Sequence, residues 1–159
     1  MDNYIRRGIY TIPEVLNFAI DTHTIQAIRL SLLAENTINK VVRQKRLLDS
    51  KIKYFDGIPV KMNSQRYILF KNKGCNCVSC GLKGSYFALE KARYQKTKFY
   101  HFNLYALNTT GNEVMMSKDH IFPKALGGSN KLNNLQPMCS VCNGIKGAKL
   151  PEISNIKYN

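Results

Sequence analysis

Acidic residues are scarce in this sequence. The chain of 159 residues has 10 Asp or Glu against 24 Lys or Arg, a formal net charge of +14. The deficit is sharpest over residues 91–151, where Glu113 and Asp119 are the only carboxylates beside nine Lys or Arg. So few acids argue against a two-metal centre built on clustered carboxylates. The basic surplus draws phosphate polyanions and speeds encounter with them. No run of about 18 apolar residues is present, so nothing reads as a membrane span. The opening Met1-Asp2-Asn3-Tyr4-Ile5-Arg6-Arg7 lacks the apolar core of a signal peptide, which gives the expectation of a cytoplasmic protein. Repeats and low-complexity segments are also missing. With 44% hydrophobic residues, the composition is that of a globular chain, either one domain or a compact domain with an extension. In a reducing compartment the five cysteines read as thiolates and metal ligands rather than disulfides.

Residues 11–50 read as helical. Thr11-Ile12-Pro13-Glu14 has capping-box spacing, with proline tolerated in the first turn. Val15, Leu16, Ala19 and Ile20 form a short apolar face, and Asp21-Thr22 can cap a second helix. Ile25, Ile28, Leu32, Ile38, Val41 or Val42, and Leu48 continue at helical spacing. The other face carries Arg29, Lys40, Arg43, Lys45 and Arg46. A basic amphipathic helix can lie along a nucleic-acid backbone, and it can equally be a solvated face. Lys53 to Val60 suggests a turn between extended segments, and Tyr67-Ile68-Leu69-Phe70 reads as a strand or a short buried helix. Residues 84–95 are expected to be a short helix with Phe87, Leu89 and Tyr94 in the core. Lys98 to Leu107 alternates as a strand, Asn108 to Asn112 is a turn, and Glu113 to Ser117 returns as its partner. His101 is expected on the polar face of that hairpin, and His23 at a helix cap or the surface.

Two Cys-x-x-Cys pairs, Cys77 with Cys80 and Cys139 with Cys142, each put two sulfurs on a tight turn. Together they offer four thiolates, the set a structural Zn²⁺ prefers, with no open position for chemistry. Cys75 is an alternative to Cys77, although the two-residue spacing favours Cys77. Between and around the pairs, the stretch from Lys118 to Lys149 holds Asp119-His120, the glycine pair Gly127-Gly128, Asn134-Leu135-Gln136, and Asn143 three residues before Lys146.

In that order these elements resemble the HNH endonucleases, over roughly residues 75–150. The resemblance implies an α+β fold. A ββα-metal nuclease module, stapled by the four-cysteine zinc site, would span residues 74–150. A helical N-terminal extension with connecting strands would span 1–73, and a tail 151–159, with Ile153 and Ile156 as packing candidates. It implies His120 as the general base that deprotonates the attacking water, a step suited to a neutral imidazole. Asp119 and Asn143 would hold one catalytic Mg²⁺ or Mn²⁺, since a carboxylate and an amide oxygen suit a hard ion. Asn134 would hold the loop that presents His120, with Asn133 as a one-residue register alternative; the chain is then an H-N-N variant. Lys124, Lys146 and Lys149, with Arg43, Lys45 and Arg46 on the extension, are the candidate nucleic-acid contacts. DNA is the expected partner and RNA an open alternative. The layout resembles free-standing endonucleases of bacteriophage and mobile elements. A zinc-stapled binding protein without catalysis is the competing reading, which the joint presence of Asp119, His120 and Asn143 disfavours.

Overall fold

The computed structural model describes residues 3–35 and 38–150. Its frame is an antiparallel sheet of five strands, in the order β1 (Tyr4–Tyr10), β4 (Gly84–Ala92), β5 (His101–Leu107), β6 (Glu113–His120) and β7 (Leu135–Cys139). A separate hairpin pairs β2 (Ile52–Phe55) with β3 (Ile58–Lys61) through Asp56-Gly57, at φ 48° and 76°. Two consecutive positive φ values give the turn whose twist matches that of its strands. The helices are α1 (Ile12–Leu16), α2 (Thr22–Ala34), α3 (Lys40–Asp49), α4 (Gln65–Lys73) and α5 (Ser140–Lys146). Local chemistry sets their starts. Thr11 Oγ1 accepts from Glu14 N at 3.4 Å while Glu14 Oε2 accepts from Thr11 N at 2.7 Å, and Asp21 Oδ1 accepts from Thr24 N at 2.7 Å. Each bond satisfies a backbone donor at a helix start, where the helix's own ladder offers no acceptor.

β6 is shared by two partners. Its residues 113–115 pair with β5, and residues 116–120 pair with β7, with Asp119 opposite Gln136 and His120 opposite Leu135. Successive side chains on a strand point to opposite faces. Ser117 and Asp119 accordingly meet α5, while Lys118 and His120 turn to the other side, toward α4 and the β6–β7 loop.

Two segments differ from the sequence reading. Residues 84–92 form strand β4 rather than a helix, although Ala-Leu-Glu-Lys-Ala has strong helix propensity. Phe87, Ala88, Leu89 and Glu90 are all buried, so burial on both faces overrides propensity. Phe87 and Leu89 do lie in the core, whereas Tyr94 is 83% exposed. Ahead of the helices, β1 pairs with β4 despite Arg6-Arg7, with a register shift between Arg6 and Gly8. The N-terminal stretch therefore supplies a strand of the same sheet as well as helices. Tyr67 to Phe70 adopts the helical alternative, within α4. The tail at 151–159, with Ile153 and Ile156, lies outside the described residues.

The core joins these parts. Val15 of α1, Phe55 and Val60 of the hairpin, Tyr67 and Phe70 of α4, and Phe87, Phe102 and Leu104 of the sheet form one cluster. Phe102 meets Tyr10 at 5.3 Å and Phe55 at 4.8 Å between ring centroids, both edge to face. Its backbone N–H donates to the Tyr67 hydroxyl at 2.8 Å. α2 and α3 stand further out: Leu32 is the buried residue of α2, and α3 has none. No helix among the described residues is long and apolar enough to cross a membrane.

Phe102→Ala is expected to lower stability by about 3–5 kcal/mol, the usual loss for a fully buried aromatic. Chemical denaturation should show one transition, with the N-terminal strand and the sheet unfolding together. A loss under about 1 kcal/mol would mean that the shared core does not hold these segments together.

Candidate active site and metal centre

The sulfur cluster is assembled from two knuckles. Cys77 and Cys80 lie on the turn between α4 and β4. Val78 N donates to Pro137 O at 3.0 Å, which fastens this turn to β7. Cys139 ends β7 and caps α5, its sulfur accepting from Cys142 N at 3.4 Å. The Sγ atoms of Cys77, Cys80, Cys139 and Cys142 all lie within 4.8 Å of one another, and Cys80 and Cys139 are 3.9 Å apart. A tetrahedron with Zn–S bonds of about 2.3 Å has edges of about 3.8 Å. Ionisation within the cluster is split. Burial pushes the Cys77 thiol up, but backbone N–H groups of Cys139, Cys80 and Ser79 outweigh it and hold Cys77 down at about 6. For Cys142, a bond with Ser79 favours the thiolate, yet the sulfurs of Cys139, Cys80 and Cys77 drive it up to about 12. Crowded sulfurs cannot all carry charge without a cation among them. The donor set therefore fits a metal ion such as zinc. Cys75 stands outside the cluster, and burial raises its thiol to about 11.

The second centre is a cleft of about 260 Å³ lined by Asp119, His120, Asn143 and Lys146, with Lys118 and Lys124 on its rim. Asp119, at the end of β6, is only 5% exposed. Its Oδ2 accepts from Gln136 Nε2 at 2.7 Å across the β6–β7 pair, and its Oδ1 accepts from Lys146 Nζ at 3.1 Å. Lys146 Nζ also donates to the His120 carbonyl at 2.7 Å. Asn143 and Lys146, three residues apart on α5, face the same strand. The Asn143 amide nitrogen donates to Ser117 Oγ at 2.9 Å, and Ser117 Oγ donates to Met138 O. That leaves the Asn143 amide oxygen without a donor among the described residues. One carboxylate and one amide oxygen fit a hard divalent ion, which would have to share Asp119 with the Lys146 ammonium or displace it.

His120 Nε2 and Asn130 Oδ1 are 2.8 Å apart. The loop that carries Asn130 is shaped by its glycines: Gly127 has φ 91°, and a Cβ on Gly128 would stand 2.0 Å from the Phe122 carbonyl oxygen. Neither position accepts a side chain without a shift of backbone. Asn134 fastens both ends of this loop. Its Oδ1 accepts from Phe122 N at 2.9 Å, and its Nδ2 donates to Phe122 O at 3.1 Å and to Ser129 O at 2.9 Å.

Of the basic residues singled out in the sequence, Lys124 and Lys146 line the cleft, and Lys149 lies just beyond α5. Arg43 reaches back to the end of α2, and Arg46 lies exposed on α3. Arg43 donates to Leu32 O and Ile38 O at 3.0 and 3.1 Å, satisfying carbonyls beyond the reach of helix α2's own ladder, and Arg46 pairs with Glu35 at 3.0 Å. Lys45 is exposed. The sequence reading missed Asn130, Gln136 and Ser117. Gln136 and Ser117 follow only once the β6–β7 register is known, and Asn130 only once the loop path is. A larger depression, about 520 Å³, lies elsewhere, beside Arg6, Glu90, Tyr105 and Glu113. There Arg6 pairs with both glutamates at 2.7 Å, so the charges are already matched within the protein.

Residues 108–158 match the family model of the HNH endonucleases. This segment, which holds β6, β7 and α5, is thus similar to a family whose members are nucleases acting on nucleic acids. No curated protein and no solved structure matches the chain.

Purified protein is expected to carry one tightly held metal ion per chain, which elemental analysis of material prepared without added metal would count. Cys139→Ser should lower the melting temperature, because a metal that binds only the folded state contributes its binding energy to folding. Folded protein free of metal would refute the assignment.

Proposed function

We propose that the chain is a metal-dependent DNA endonuclease that hydrolyses phosphodiester bonds in the cleft between β6, the β6–β7 loop and α5. The observation that carries this reading is convergence: Asp119, His120 and Asn143, the last of them more than twenty residues from the other two, line one cleft within a segment that matches the HNH family. Zinc is the ion for the four-sulfur cluster, where it supports the fold and touches no substrate. Asp119 and Asn143 would hold a Mg²⁺ or Mn²⁺ ion, which when bound supplies positive charge against the phosphate and the departing 3′ oxygen.

The chain's own groups do the rest. With His120 Nε2 donating to Asn130 Oδ1, Nδ1 is the unprotonated nitrogen, and it takes the proton of the attacking water. Asn130 is thus a positioning residue, fixing both the tautomer and the plane of the ring. Asn134 holds the loop that carries Asn130 and so acts on His120 at second hand. Gln136 and Ser117 orient Asp119 and Asn143 in the way that outer partners orient ligands. Lys146 neutralises Asp119 in the resting cleft and is within reach of a phosphate once substrate arrives. Lys124 and Lys149 are placed to receive the flanking backbone.

Supercoiled plasmid and a matching RNA, each incubated with and without Mg²⁺, test the reading. Cleavage of DNA should need the ion and yield 5′-phosphate and 3′-hydroxyl ends. His120→Ala should reduce the rate by about 10²–10⁴ with DNA affinity nearly unchanged, the usual loss for a general base. Asp119→Ala and Asn143→Ala should weaken metal dependence and rate together. Asn130→Ala should lower the rate and shift its pH profile while leaving affinity intact. Ends of the opposite kind would refute the mechanism, and cleavage of RNA alone would move the assignment to an RNase on the same fold.

A further inference from the structure

A cluster of positive charge on the α4 side of the cleft has no counter-charge. Lys118 leaves β6 on the same face as His120, and its ammonium donates to Gln65 Oε1, a neutral acceptor, at 2.7 Å. Arg66, the next residue on α4, donates to Asn103 Oδ1, also neutral, at 2.6 Å. Lys124 stands on the loop after His120. Burial lowers the basicity of the Lys118 ammonium, and repulsion from Arg66 and Lys124 lowers it further. Among the described residues none of the three has a carboxylate partner, although Arg6, Arg46 and Lys146 do. Gathering three cations without an anion opposes folding, and desolvation of the half-buried Lys118 adds to that cost. A bound polyanion removes the opposition.

The cluster also has a direction. Lys118 and Lys124 line the catalytic cleft, whereas Arg66 lines a second depression of about 320 Å³ with His101 and Tyr94. Arg66 directly follows Gln65, the acceptor of Lys118, on α4, and so stands between the two. The α3 surface makes a poorer path, because Arg43 and Arg46 already spend their guanidinium groups on α2 and the residues just after it.

We propose that Lys124, Lys118 and Arg66 form a phosphate track that carries a nucleic-acid strand out of the cleft, across the start of α4 and into the depression beside His101. The track rests on the nuclease reading, since it assigns the backbone on one side of the scissile phosphate. It assigns nucleic-acid contact to two residues, Lys118 and Arg66, that no motif marks. The chemistry it recognises is a row of phosphate monoanions, so sequence preference must come from other contacts.

Fluorescence anisotropy of a labelled DNA duplex across a salt series, in EDTA so that no cleavage occurs, tests it. The variants are Lys118→Gln, Lys118→Gln with Lys124→Gln, and Arg66→Gln, each checked for folding by its melting curve. Each lost contact should reduce the slope of log affinity against log salt by about 0.9 and weaken binding by roughly fivefold to tenfold at about 0.1 M salt. If Arg66→Gln does not fold through loss of its bond to Asn103, the lysine variants carry the test alone. A folded Lys118→Gln/Lys124→Gln variant with the parental slope overturns the track. So does a flattened slope confined to a Lys40→Gln/Lys45→Gln variant of α3. A parent protein that binds no nucleic acid would overturn the nuclease reading and the track with it, whereas a parent that binds with unaffected variants overturns the track alone.

Discussion

Four crowded sulfurs fix where α5 begins, and the geometry of the cleft follows from that. Cys139 is at once the last residue of β7, the cap of α5 and a member of the cluster. The opposing knuckle is bonded to β7 through Val78 and Pro137. The first turn of α5 is thereby held at two points, and Asn143 and Lys146 reach β6 from a helix of only seven residues. An isolated helix of that length is unstable in water. Without an anchor at its start, neither the bond from Asn143 to Ser117 nor that from Lys146 to Asp119 would have a defined geometry.

Charge is distributed by the same logic. Glu90, in the middle of the sheet, is 1% exposed and accepts from Arg6, Asn103 and Tyr105, so its burial is fully compensated. Asp119 is nearly as deep, and its oxygens are satisfied by an amide and an ammonium. The difference lies in where the partners come from. Lys146 reaches Asp119 from a short helix that lines the cleft, whereas the Glu90 partners come from the two strands that flank it.

Legibility in the sequence followed the range over which each feature is encoded. The capping box at Thr11, the Asp56-Gly57 turn, the hairpin around Asn108–Asn112 and the paired cysteines are all written within a few residues, and the structure contains each. Spacing favoured Cys77 over Cys75, and the sulfur cluster indeed holds Cys77 and not Cys75. β4 was misread because Ala88 to Ala92 favours a helix in isolation, and only burial between β1 and β5 makes it a strand. β1 went unread because two arginines and a register shift break its alternation. Asn130 belongs to the same class. It lies ten residues from His120, and the contact exists only because two glycines turn the loop back on itself. Arg43 shows the converse: helical spacing identified its face, but not that the carbonyls of Leu32 and Ile38 would occupy it.

The pairing of β1 with β4 bears on how portable the nuclease segment is. Motif and family match both fall in the C-terminal half, which invites excision at about residue 74 for fusion to another binding domain. Such a cut would strip β4 of its outer neighbour and leave a strand of 9 residues with an open row of backbone donors and acceptors. Long unpaired edges of this kind recruit other strands and lead to aggregation. The same cut removes α4, and with it Gln65, Arg66 and the Lys73 contact to the start of β7. The smallest unit that keeps these contacts is thus larger than the segment that matches the family.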